Sequence, residues 1–270
     1  MVEKIIKKIK SLPPLPESVA KVRRICDDPE GSIKDLVPVI KSDPLFTADI
    51  LKAANSPLYG FSRQITSIDQ AISLFGMGTI QGFAISYAIR NTMPVDLRAY
   101  NASPGRLMDV SSLQNSLTLH WGKELVTTHK QEMMTVSLLM ELGKVVASVV
   151  LDESNQTEPF AKAIKNAETS DEIIHTEKEF LGISSEWIAA LMFKHWQFHR
   201  LMIEMMRHVL DPMKADDTVK RHTQILHVVK EVIPFTKPMC DTCIQSAYEK
   251  ADRFGFDTAA LQQAIEKMRQ

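Results

Sequence analysis

His195 and His199 stand four residues apart, a spacing that puts two imidazoles on one helical face and can hold zinc. The residues between them include Trp196, Gln197 and Phe198 but no glutamate to serve as a general base, so capping or surface roles are the favoured reading. Cys240-Asp241-Thr242-Cys243 has the spacing of half a zinc site or of a redox pair. There is no second Cys-x-x-Cys and no strand-like run before this one, and His222 and His227 complete a four-ligand set only if the helices fold back on each other. Two reduced cysteines on a helix are the expectation. Glu141, close to Gly143 and Lys144 in an apolar stretch, is a carboxylate that a buried pocket could use, as a residual ligand or as a polar anchor paired with Lys144, His208 or Asn115. An ordinary carboxylate satisfied by a neighbouring donor is the simpler alternative.

Other chemistries find less support. Lys4, Lys7, Lys8 and Lys10 form one small basic patch, and Lys21, Arg23 and Arg24 another. Neither is interleaved with stacking aromatics, so solvated helix faces are favoured over nucleic-acid contacts. Gly76-Met77-Gly78 lacks the preceding strand of a nucleotide-binding glycine loop. The 32 lysines and arginines nearly balance the 33 aspartates and glutamates, so no global field favours nucleic acid or an anionic membrane.

These residues must be carried by helices. Apolar residues recur at helical spacing almost throughout, and alternating strand-like runs are missing. Residues 1–10 interleave Ile5, Ile6 and Ile9 with lysines and read as a short amphipathic helix, not a leader. Ser32, Asp43 with Pro44, Ser67 with Gln70, and Thr169 with Glu172 mark helix starts, and Gly182 marks a helix end. Residues 106–128 and 131–151 predict two long helices, the second apolar nearly all round and hence central. Further helices are expected at 184–195, 198–210, 218–232 and 257–270, separated by Pro212, Pro234 and Pro238. No stretch approaches the roughly 18 uninterrupted apolar residues of a membrane span. Three cysteines fit a reducing cytoplasm better than a disulfide framework.

Three motifs occur in order: Leu12-Pro13-Pro14-Leu15-Pro16, Lys41-Ser42-Asp43-Pro44-Leu45, and Ala53-Ala54-Asn55-Ser56-Pro57-Leu58-Tyr59-Gly60. With Ile68-Asp69-Gln70-Ala71-Ile72-Ser73-Leu74-Phe75-Gly76 they resemble the HDOD family, and a weaker likeness runs on to about His208. Part of this signature has a plain physical reading. The Leu-Pro-Pro-Leu-Pro segment is a rigid polyproline II-like strap that lays two leucines on a helical surface, and Asn55 with Ser56 ends a helix by bonding loop backbone. A possible interaction motif at Leu12, Pro13, Pro14, Asn55 and Ser56 is the alternative.

The resemblance implies descent from HD-type metal phosphohydrolases, whose histidines and aspartates hold catalytic metal ions. Ser137 to Lys144 is similar to the family's Leu-Leu-His-Asp-Ile-Gly-Lys stretch, with Met140 and Glu141 in place of the His-Asp pair. A thioether is a poor ligand for a hard divalent ion. Asn115 stands for a second histidine, Ser185 for a third, and Arg207-His208 for a His-His pair keeping only its second member.

The expectation is therefore an all-α, HD-domain-like helical bundle with an additional N-terminal helical lobe. The HDOD-like module should cover 12–210, with lobes at about 12–95 and 106–210, and 211–270 should pack on it. Its expected role is a cytoplasmic, bacterial-type signal transduction output module without catalytic residues, metal or cofactor. It would act by protein–protein interaction or small-ligand binding, with no membrane role and with nucleic acid disfavoured. A metal-dependent phosphohydrolase with unconventional ligands is one alternative, and a nucleic-acid-binding regulator is the other.

Overall fold

The computed structural model describes residues 1–269, which form sixteen α-helices and four short 3-10 turns with no strand among them. In chain order the helices are α1 (Val2–Lys10), α2 (Glu17–Asp27), α3 (Ile33–Lys41), α4 (Pro44–Ala54), α5 (Ile68–Phe75), α6 (Met77–Thr92), α7 (Gly105–His120) and α8 (Lys130–Leu139). They continue as α9 (Gly143–Asp152), α10 (Thr157–Ile164), α11 (Ser170–Leu181), α12 (Ser185–His195), α13 (Arg200–His208), α14 (Asp217–Val232), α15 (Asp241–Arg253) and α16 (Thr258–Arg269). The expected all-α architecture is what the chain adopts.

Local chemistry sets the helix starts. Asp43 accepts hydrogen bonds from the amides of Leu45 and Phe46, with Pro44 in the first turn where its missing N–H costs nothing. Ser32 with Asp35 and Thr169 with Glu172 make reciprocal capping boxes, and Gly182 closes α11 in the left-handed region at φ 83°. Each such cap stabilises its helix by about 1 kcal/mol.

Burial then joins the elements. The buried apolar side chains from Ile5 to Ile265 form one contiguous cluster. Helix α6 lies along α8, which ties helices α2 to α5 to the rest, and α2 packs on α6. Helix α1 reaches across to α9 and α12. The strap between α1 and α2 is fastened there: His195 Nε2 lies 3.3 Å from the Leu12 carbonyl oxygen, and Trp196 Nε1 donates to that of Pro13 at 3.0 Å. Leu12 is buried and Leu15 half-buried while Pro13 and Pro14 face outward, as a strap requires.

The structure corrects three expectations about elements. The helix expected at 131–151 is two helices, because the amides of Leu142, Lys144 and Val145 bond carbonyls three residues back and tighten the chain around Met140–Leu142. The helix expected at 106–128 ends at His120 and gives way to a 3-10 turn at Gly122–Leu125. Helix α10 lies in a segment where no separate helix was expected. The stretch Lys130–Asp152 has the length and mean hydropathy of a membrane span, but Glu141 and Lys144 interrupt it and 94% of its most apolar window is buried inside the protein.

Candidate functional site

The α8–α9 junction positions the residues that stand where the HD ligands would be. Helix α9 approaches α12 so closely that a Cβ on Gly143 would lie 1.8 Å from the Ser185 carbonyl oxygen, so only glycine fits. This contact brings Glu141 and Lys144 against Ser185 and Glu186 at the start of α12. Helix α11 adds Glu177, α14 adds Lys230 and α7 adds Gln114, all buried.

Five charges meet in this closed space. Lys144 Nζ lies 2.7 Å from Glu141 Oε2, 3.3 Å from Glu177 Oε1 and 3.9 Å from Glu186 Oε1. It also donates to Ser185 Oγ at 2.7 Å and sits 5.4 Å from the ring centroids of both Tyr100 and Phe235. Lys230 Nζ bonds Glu141 Oε1 and lies 2.9 Å from Glu186 Oε1. Gln114 Nε2 donates to Glu141 Oε1 at 2.7 Å, Tyr100 Oη to Glu177 Oε1 at 2.9 Å, and the Ser185 amide to Glu177 Oε2 at 2.7 Å.

The electrostatics follow from this geometry. Burial alone would push the Glu141 carboxyl up, but the two ammonium groups of Lys144 and Lys230 outweigh it and hold the group at about 2. Burial opposes the charge of Lys144 too, yet Glu141, Glu177 and Glu186 keep it well above its ordinary value. Glu186 is lowered against its burial by Lys230 and Lys144. For Glu177 burial prevails over the pull of Lys144, and its carboxyl is held above the ordinary value. Three carboxylates and two ammoniums sum to −1, and Glu177 is further met by the Tyr100 hydroxyl and the Ser185 amide. Isolated buried charge is costly, and this pairing removes it.

The expected site residues are only partly brought together. Ser185 joins Glu141 in the cluster. Met140 turns away and is fully buried in the apolar core. Asn115 faces the N-terminal helices, accepting from Tyr59 Oη at 3.2 Å and donating to the Met134 carbonyl oxygen at 3.0 Å. His208 pairs with Glu204 at 3.3 Å, and the Arg207 guanidinium lies 5.0 Å over the Trp187 ring. Of the three partners expected for Glu141, only Lys144 is one.

Glu177, Glu186, Lys230, Gln114 and Tyr100 were missed. The signals were a glutamate on the apolar face of α11 and a lysine between Val229 and Val232. Their convergence depends on contacts across 27 to 89 residues, which spacing does not encode.

The other candidates resolve plainly. Helix α12 ends at His195, Gln197 takes φ 56°, and His199 caps α13, so the two imidazoles do not converge. His222 Nε2 lies 2.9 Å from the Thr128 carbonyl oxygen and His227 Nδ1 2.8 Å from that of Val209, apart from the cysteines. Cys240 and Cys243 are joined in a disulfide, which corrects the expectation of two reduced thiols. Asn55 bonds the Leu51 and Ile65 carbonyls and the Ile65 amide, each at 2.8 Å, and the Ser56 hydroxyl accepts from the Leu58 amide at 3.4 Å. In the basic patches, Lys4 bonds Ser154, Lys8 pairs with Glu153, and Arg23 holds the carbonyls of Trp196 and Gln197.

The residues that the family resemblance puts at a metal position do not fit a divalent ion. No imidazole reaches Glu141, its carboxylate is engaged by two ammoniums, and those cations repel a third. Among the described residues, no group of three or more His, Cys, Asp or Glu side chains is arranged to hold a metal.

An all-helical fold built around a closed ionic cluster defines the class. The sequence model of the HDOD domain matches residues 12–212, and the chain belongs to that family. A Shewanella amazonensis SB2B protein provisionally named a phosphohydrolase shares the fold, with TM-score 0.68 and 21% identity over 98% of this chain and 94% of that one. A Marinobacter aquaeolei VT8 protein provisionally named a signal transduction protein has TM-score 0.66 and 18% identity, covering 98% of this chain and 61% of that one. An uncharacterized Treponema pallidum (strain Nichols) protein is 27% identical over 82 residues, 30% of this chain and only 16% of that relative's length. Membership of this family fits a regulatory role.

Proposed function

We propose that this chain is a non-catalytic signal transduction output module that works by binding a protein or a small ligand. One observation carries the reading: the carboxylate that stands at the metal position, Glu141, is neutralised by Lys144 and Lys230 within a sealed cluster. A phosphohydrolase needs an ion with open coordination positions and a path for substrate, and neither is supplied by a cluster shut behind Tyr100 and Phe235.

Binding then belongs to the open surface. A groove of about 850 Å³ lies between residues 60–65, α5, the end of α7 and Lys267 of α16. Its size suits a small ligand or a peptide side chain, and Phe61 and Leu119 offer it apolar contact beside Arg63 and His120.

The test is elemental analysis of purified protein after chelation, paired with an assay on a phosphodiester. The reading expects no stoichiometric iron, manganese or magnesium and no hydrolysis. Retained metal together with turnover that Glu141→Gln abolishes would overturn it.

A further inference from the structure

We propose that Cys240 and Cys243 form a thiol–disulfide exchange site open to a small thiol of the glutathione class. The two cysteines are joined with Cα atoms 5.1 Å apart, and they differ in every respect that matters for exchange. Cys240 is the N-cap of the 13-residue helix α15, is partly exposed, and its Sγ accepts from the Cys243 amide at 3.2 Å. A sulfur in that place faces the positive end of the helix and its unsatisfied amides, which favour a thiolate. Cys243 is 1% exposed, with Sγ 3.6 Å from the Glu168 carbonyl oxygen and 3.7 Å from that of Lys237. Those carbonyls accept a thiol proton and disfavour a thiolate. The outer sulfur is thus the one to be attacked, and the inner one the one that leaves and is reprotonated.

The exchange balances with two thiols. A glutathione thiolate attacks Cys240 Sγ, the protein S–S bond breaks, and its electron pair goes to Cys243, which takes a proton from water. A second glutathione thiolate attacks the glutathione sulfur of the mixed disulfide and releases the Cys240 thiolate. The protein disulfide is reduced as two glutathiones are oxidised to glutathione disulfide.

The charged surroundings of Cys240 are mixed. Asp241 follows it and lies 3.5 Å from Arg269, and Lys237 is paired with Glu168 at 2.6 Å. The Thr242 hydroxyl is 3.2 Å from Cys240 Sγ. Cys26 is an internal control, since burial, then Asp27, pushes its thiol up to about 12.

The experiment follows iodoacetamide alkylation of the full-length Cys243→Ser protein against pH by mass spectrometry. Cys240 should react with a midpoint below the ordinary thiol value of about 8.5, and Cys26 should stay unmodified in the native state. In Cys240→Ser, the remaining Cys243 should react at least tenfold more slowly. The reduced wild-type chain repeats the comparison without a substitution, with Cys240 modified before Cys243. Across glutathione buffers of graded ratio, the wild-type pair should pass from disulfide to dithiol. A Cys240 midpoint at or above the ordinary value, equal rates at the two sulfurs, or a pair locked in one state across the whole series would overturn the proposal.

Discussion

The loop around Asn55 and the cluster around Glu141 each occupy a signature position of the family, yet they are held in opposite ways. Asn55 is fastened to residues no more than 10 positions away, through bonds to Leu51 and Ile65. Glu141 is held by Lys230, 89 residues away, and by a helix junction that only glycine at 143 permits. The first region keeps the family pattern because the pattern is the local structure. The second departs from it at Met140 and Glu141, and its carboxylates are balanced from a distance by two lysines. The contrast teaches that a polar centre can be held inside the bundle by ion pairs between distant helices.

The largest test of that contrast is Lys144→Met. It leaves three buried carboxyls facing Lys230 alone, and removing one partner of such a set costs about 3–5 kcal/mol. Urea unfolding should show that loss, and a change below about 1 kcal/mol would mean that water reaches the cluster. Glu177→Gln should cost only a fraction of it, because Glu177 is already held toward its neutral form.

Acidity probes the same centre with a definite sign. Glu141 sits at about 2 in the folded chain against an ordinary 4.5, so its stabilisation is complete above 4.5 and is lost as pH falls from there toward 2. Glu186 shifts in the same direction. Glu177 has the opposite sign: its contribution is present below the ordinary value and is lost as pH rises through its raised one. Stability measured against pH should therefore fall on the acid limb for the wild type and flatten there in Glu141→Gln. An unchanged limb in that variant would break the ionic account.

Next comes the packing that makes the cluster possible. In Gly143→Ala the added Cβ meets the Ser185 carbonyl oxygen, so α9 must shift away from α12, at about 3 kcal/mol. Far-ultraviolet circular dichroism should show the helices retained while the denaturant midpoint drops. A neutral result would show that the two backbones are farther apart than described.

Much of this molecule was legible from residues that act locally. Ser32, Asp43, Thr169 and Gly182 announce helix ends because a cap is made within a few residues of itself. The strap was legible because proline restricts its own backbone. The break at Met140–Leu142 was not, since the apolar period runs unbroken through it and the tightening answers to α12, which lies beyond the window of any helical repeat. Lys230 and Glu186 were invisible for the same reason: a charge in an apolar run shows that a partner exists without saying which. The cysteine pair was misjudged because composition argues about a compartment, whereas the cap of α15 brings two sulfurs together directly.

On the local side of the comparison, Asn55→Ala removes three hydrogen bonds around a partly buried loop and should cost about 1–2 kcal/mol. Because the loss is confined to that loop, amide hydrogen exchange should rise near Ile65 and not near Glu141. Faster exchange at both would join the two regions into one cooperative unit.

The smallest expected effect lies in the strap, where Pro13 and Pro14 face outward and docking is made by the Leu12 and Leu15 side chains and by backbone carbonyls. Pro13→Ala with Pro14→Ala keeps those carbonyls and gives up only the stiffness of the unfolded chain, about 0.4–1 kcal/mol per residue. Urea unfolding reads the sum. A loss well beyond it would mean that the rings themselves are packed, contrary to their exposure. Unchanged stability combined with loss of a partner captured by the wild-type chain would instead give the two exposed rings a recognition role, and the strap would then differ from Asn55 in kind: one signature kept for folding, the other for binding.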